Sequence, residues 1–91
     1  MSFKLNEWTP HKRQAFRDLL EGLIGVEMQI QILCERTYTG RIEEFTSEKT
    51  VKITLIRDED GNAPEMPVRW MPYHSAIFRH PAIHTFYKLY V

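Results

Sequence analysis

His80 and His84 stand four apart, a spacing that would put both rings on one helix face as metal ligands. Pro81 falls between them, however, and no neighbouring acid or cysteine completes a ligand set. Cys34, the single thiol, and the four histidines form no nucleophile–base pattern. Glu43 and Glu44 are adjacent in a stretch that reads as a strand, where neighbours face apart, so they do not offer a carboxylate pair to one substrate. The glycines lack the spacing of a phosphate loop. These residues lead us to expect no enzyme, no metal and no cofactor. The remaining chemistry is basic. His11, Lys12, Arg13 and Arg17 fall on one side of a helical pattern, which is either a landing strip for phosphate or the solvated side of a helix.

The element that must carry this basic face begins at Thr9-Pro10, an N-cap followed by proline at the first helical position. Phe16, Leu19, Leu20 and Leu23 recur at helical spacing, and Gly22 and Gly25 offer the stop, so the pattern predicts an amphipathic helix from Pro10 to about Gly22. Ahead of it, Phe3 and Trp8 are expected on the domain surface. Val26, Met28, Ile30 and Ile32 alternate with Glu27, Gln29 and Gln31, the period of a half-buried strand over Val26–Leu33. Further strands are predicted at Tyr38–Phe45 and Thr50–Ile56, joined by the polar turn Thr46-Ser47-Glu48-Lys49.

Ile42 and Phe45 are three apart, so both are buried only if the second strand bends or bulges, and Gly40 sits where a bend would need backbone freedom. The charged stretch from Arg57 to Pro67 reads as a loop. Met66, Val68 and Trp70 alternate in a fourth strand that Pro72 interrupts, because proline cannot donate to a ladder. Tyr73-His74 makes a turn, Ser75–Arg79 a brief fifth strand, and His80-Pro81 ends it. The aromatic tail at 80–91 is either an added strand or a short helix. Trp70 and the tail aromatics read as core or interface packing, and as stacking residues only if exposed. The expected fold is mainly β, an N-terminal helix followed by five strands curling into a strongly bent open barrel over about 26–79.

Ninety-one residues make one domain, burying about 60–65% of the unfolded chain's surface, so an association partner would help a core this small. Twelve basic and twelve acidic side chains cancel, and no global field draws the monomer to nucleic acid or an anionic membrane. The distribution is uneven. Lys4, Lys12, Arg13 and Arg17 against Glu7 leave +3 over residues 1–17, residues 66–91 carry +3 with no acid, and the stretch between them holds −6. If the two ends meet, a neutral protein gains one basic face. A lone cysteine, no signal-peptide pattern and no bilayer-length apolar run make a soluble cytoplasmic protein with no membrane partner the expectation.

A helix and five short strands with a tight break between the last two resembles the Sm/LSm fold. Val-Glu-Met-Gln-Ile-Gln-Ile-Leu at 26–33, followed after six residues by Gly40-Arg41-Ile42-Glu43-Glu44-Phe45, is similar to the first Sm motif, most of all as it occurs in the bacterial RNA chaperone Hfq. Tyr73-His74-Ser75-Ala76-Ile77 is similar to Hfq's Tyr-Lys-His-Ala-Ile. The resemblance covers about Pro10 to Arg79, and a phage-encoded member is a niche that suits a chain this divergent.

The resemblance implies a homo-oligomeric ring of about five to seven subunits, each fourth strand pairing with a neighbour's fifth. It also implies single-stranded RNA, or nucleic acid generally, at the pore. The bases would lie between Thr46–Thr50 and Met71–Ser75. His74 stands where Hfq has its RNA-contacting lysine and Ser75 where it has histidine. A histidine can stack on a base and donate to phosphate, and serine can bond a base edge or phosphate, although both also read as plain turn residues.

Lys49 and Thr50 border the same place, Lys12, Arg13 and Arg17 border the opening, Tyr73 is expected at the subunit boundary, and Arg79 fits either role. The chain departs from the family after Phe45. Thr46, Ser47, Glu48 and Lys49 replace the usual Asp, aromatic or histidine, and Asn, so the stacking ring is missing there. The alternative is a protein–protein assembly module that keeps the small barrel, has lost the nucleic-acid pocket and docks through its tail.

Overall fold

The computed structural model describes residues 8–90. Helix α1 runs Pro10–Glu21, followed by strands β1 (Met28–Ile32), β2 (Thr37–Phe45), β3 (Thr50–Asp58), β4 (Val68–Pro72) and β5 (Ala76–Arg79), and a second helix, α2 (Pro81–Tyr90). A single turn of 3-10 helix, Tyr73–Ser75, separates β4 from β5. The strands form one antiparallel sheet in the order β4-β3-β2-β1-β5. Its outer strands do not pair with each other, so the sheet is open. Phe3 lies outside the described residues.

Both helices start by the same device. Thr9 holds an extended backbone, its Oγ1 accepts from the Lys12 N–H at 3.2 Å, and Pro10 takes the first turn. His80 repeats this ahead of Pro81: its Nδ1 accepts from the Ala82 N–H at 3.0 Å. His80-Pro81 therefore ends β5 and opens α2, and the tail, readable as strand or helix, is helical. After α1 the chain turns back through Gly25, whose φ of 85° is left-handed and whose N–H donates to the Ile42 carbonyl at 2.9 Å.

The middle strand bulges where the apolar spacing demands it. β2 pairs Ile42 with Ile53 and then Phe45 with Val51, the register shifting between Ile42 and Glu44. The extra residue returns Phe45 to the core face, where it packs half-buried against the apolar cluster. Gly40 lies at a second shift, but for a different reason from the one expected. A Cβ there would stand 2.5 Å from the Thr54 carbonyl oxygen, so close approach of β3, not an unusual φ, requires glycine.

The core is Ile30, Ile42, Val51 and Ile53 from the sheet, closed by Phe16 and Leu20 of α1 and Ile83 and Phe86 of α2. Trp8, expected on the surface, packs half-buried against that cluster, 5.6 Å from both the Phe16 and Phe86 rings, because α2 folds back beside α1 and gives it a partner. β4 is displaced from its expected position. Met66 stays in the loop, and Pro72 ends the strand opposite Thr50 instead of interrupting it. An edge strand tolerates this, since the N–H that proline lacks would face away from the ladder. Trp70, expected in packing, is 62% exposed and belongs to no core of this chain.

Candidate nucleic-acid interface

Two turns and one helix converge beside β3. In the turn between β2 and β3, Ser47 Oγ accepts from the Thr50 N–H at 3.1 Å, and the Thr46 N–H donates to the Thr50 carbonyl at 2.9 Å, which fixes the loop that carries Lys49. The Tyr73 N–H donates to the Lys49 carbonyl at 2.9 Å, tying the β4–β5 turn to this one. α1 is docked on the same loop, since Arg17 Nε donates to the Glu48 carbonyl at 2.9 Å. A cleft of about 320 Å³ lies between them, walled by Arg13 and Arg17 of α1, Glu48 and Lys49 of the first turn, and Tyr73 of the second.

The walls are not equally available. Arg17 is committed three ways: it pairs with Glu21, bonds Glu48 and lies 4.3 Å over the Phe45 ring. Tyr73 is 6% exposed, its ring packed 6.1 Å from Phe16 and 6.3 Å from Phe45, inside this chain's own core and not left at its boundary. Burial pushes its hydroxyl above the ordinary tyrosine range, with Arg13 and Arg17 pulling the other way, so the phenol stays protonated near neutrality. Arg13 donates to the Trp8 carbonyl at 3.1 Å and forms no ion pair among the described residues. Lys49 is exposed, also without an ion pair there. These two cations are the ones free to meet an anion. Glu48 on the same rim opposes them, a residue the sequence placed only in a turn.

Of the residues predicted from the sequence, the fold gathers Arg13, Arg17, Lys49 and Tyr73 around one cleft. No protein-family model, curated protein or solved structure matches this chain. What the site can do follows from its own geometry. His74 and Ser75 sit on the adjoining turn outside the cleft wall. His74 is exposed, edge-on to the Tyr73 ring at 6.2 Å, while Ser75 is half-buried and its carbonyl accepts from the Leu33 N–H at 3.1 Å. Thr50 is half-buried in the β3 ladder. Lys12 turns toward Trp8, its Nζ 5.5 Å from that ring.

Sequence reasoning missed a second hollow altogether. A cavity of about 460 Å³ lies between β5 and α2, and it exists only because the tail is helical. Among the described residues no group of three or more His, Cys, Asp or Glu is placed to hold a metal, and His80 Nδ1 is taken up in capping α2. No described helix is long and apolar enough to cross a membrane.

Proposed function

We propose that this chain is a subunit of an Sm-like ring that binds single-stranded RNA, or nucleic acid more generally, on the face where α1 meets the β2–β3 and β4–β5 turns. The observation that carries this reading is the cleft joining Arg13 and Lys49, from elements far apart in sequence, with no carboxylate among the described residues pairing either of them. Two strand edges at opposite ends of one sheet, unpaired among the described residues, support the ring, since they are what head-to-tail pairing of β4 on β5 requires. Phosphate attraction to Arg13 and Lys49 supplies the affinity, and repetition around a ring multiplies it. Base discrimination is weak. No exposed aromatic stands in the β2–β3 turn, Tyr73 is buried, and only the imidazole of His74 is left to stack.

Fluorescence anisotropy with oligouridine, oligoadenine and single-stranded DNA over a salt series tests this. Binding should weaken with salt, and Lys49→Ala should lower the slope of log K against log salt by about 0.7 for each phosphate no longer neutralised, with the particle mass unchanged. Arg13→Ala should act likewise, and His74→Ala should reduce any difference between bases. Absence of salt-sensitive binding at micromolar concentration would favour the second reading, an assembly module. The exposure of Trp70 and Met66, 62% and 61%, specifically speaks for that reading.

A further inference from the structure

The cavity between β5 and α2 has no part in the nucleic-acid face. Its walls are mostly apolar, Ile77 and Phe78 of β5 and Pro81, Ile83 and Tyr87 of the α2 segment, with Arg79, His80 and His84 completing them. Its size falls in the range of small-ligand clefts, ample for one indole ring. The cavity lies along β5, whose outer edge has no partner strand among the described residues. At the opposite end of the sheet the outer edge of β4 has no partner strand among the described residues either, and there Trp70, with Lys52 Nζ 5.9 Å over its ring, and Met66 of the preceding loop are exposed. One edge carries a hollow and the other a projection of matching chemistry.

Facing agrees. Trp70 precedes the buried Met71, and its strand partner Lys52 lies between the buried Val51 and Ile53, so the indole points away from the core. Ile77 lies between the buried Ala76 and Phe78 and points away from the core as well. A neighbour's β4 laid beside β5 continues the sheet, and side chains pointing outward from the two strands then share one face. Charge agrees too. In the loop entering β4, Glu59 and Glu65 have no cation partner among the described residues. In the lining of the hollow, Arg79 donates to Gln31 Oε1 at 2.8 Å and forms no ion pair among the described residues.

We infer that the β5–α2 cavity is a socket for Trp70 of a second copy of this chain, so that α2 determines which copies fit together. The inference rests on the self-assembly half of the proposed function and is independent of nucleic-acid binding. The contact is heterologous, with different patches on the two partners, so it propagates from copy to copy and ends only when a ring closes. Tryptophan is the residue most expected to dominate such a contact, and burying it removes on the order of 150–250 Å² from water.

The test compares the full-length chain with Trp70→Ser by native mass spectrometry and light scattering over a dilution series. The wild-type chain should assemble, and Trp70→Ser, which alters an exposed side chain and should keep the same circular dichroism, should dissociate at a concentration roughly thirtyfold higher. A second measurement locates the ring. Trp8→Phe leaves Trp70 as the only indole. Mixing that chain with one free of indole (Trp8→Phe, Trp70→Ser) and carrying a nitroxide on His84→Cys, in a Cys34→Ser background, should quench its fluorescence, whereas a nitroxide on Asp18→Cys should not. Assembly that is indifferent to Trp70→Ser, or that leaves the indole unquenched by the His84 label, overturns the socket and leaves the ring standing. A wild-type chain that stays monomeric at high micromolar concentration overturns both.

Discussion

At Gly40 the requirement for glycine is made by an atom on another strand. The Thr54 carbonyl oxygen lies where a Cβ would be only 2.5 Å away, and the Leu55 Cα would be at 3.2 Å, both main-chain atoms that cannot swing aside. Gly40→Ala should therefore force β2 and β3 apart at a register shift and destabilise the fold by about 1–3 kcal/mol, the usual range for overpacking. Urea denaturation with an unchanged slope and a lower midpoint would establish it. That β2 is irregular is legible from the chain, because Ile42 and Phe45 are three apart, but the shift this spacing demands falls between Ile42 and Glu44 and not at Gly40. The cause at Gly40 is not legible, since spacing along β2 carries no information about what approaches from β3. The same limit explains Arg17. Its place on a basic helix face can be read, but Phe45 and the Glu48 carbonyl, which occupy it, arrive through the fold. The candidate site is thus legible as a set of cations and not as a ranking of them, which depends on who already holds each one.

Among the elements, those governed by local rules lie closest to expectation. Thr9-Pro10 marks the start of α1, and strict alternation marks β1 and β3, because a one-residue slip would turn every apolar side chain outward. β4 departs from expectation because Met66, Val68 and Trp70 alternate as if half-buried, yet Met66 and Trp70 are exposed in this chain. Pattern alone does not say whether an apolar edge is covered by its own chain. α2 is ambiguous in the sequence although Ile83, Phe86, Tyr87 and Tyr90 share one helical stripe. Pro81 reads as the end of a strand, but a proline after a capping side chain equally begins a helix.

α2 is no appendage. Phe86 is buried, 5.3 Å from Phe16 and 5.6 Å from Trp8, in the cluster that seals the helical end of the core. Phe86→Ala should cost about 3–5 kcal/mol and detach α2 before the sheet melts. Loss of amide-exchange protection in 81–90 ahead of the strands would demonstrate that order.

At the scale of the molecule, three carboxylates among the described residues are held below their ordinary values. Glu35 is lowered first by its hydrogen bonds from Arg69, a two-pronged contact with both distances at 3.0 Å that links the β1–β2 turn to β4, and Arg69 is raised in return. Glu43 is lowered chiefly by the Thr54 hydroxyl beside it, and Asp58 chiefly by the Asn62 N–H, then that of Asp60. Groups lowered on folding stabilise the native state when ionised in both states. That contribution is complete above the ordinary values of 4.5 for Glu and 3.8 for Asp, and it is lost as pH falls through the lower folded values. The melting temperature should hold near neutrality and decline on acidification below about pH 4.5, and Glu35→Gln should make that decline shallower. A melting temperature that rises as the pH drops would contradict it.

The first and last described elements are also each other's neighbours. β1 takes β5 as its second partner, and α1 is sealed by α2, with Trp8 against Phe86. During synthesis the oily flank of α1 is therefore made early and sheltered late. Until α2 has left the ribosome, Phe86 is not there to close over Phe16 and Trp8, whereas the β1–β2–β3–β4 ladder can settle beforehand. The nascent chain must travel most of its length before that lid arrives, a window in which a chaperone, or another nascent copy, meets it first.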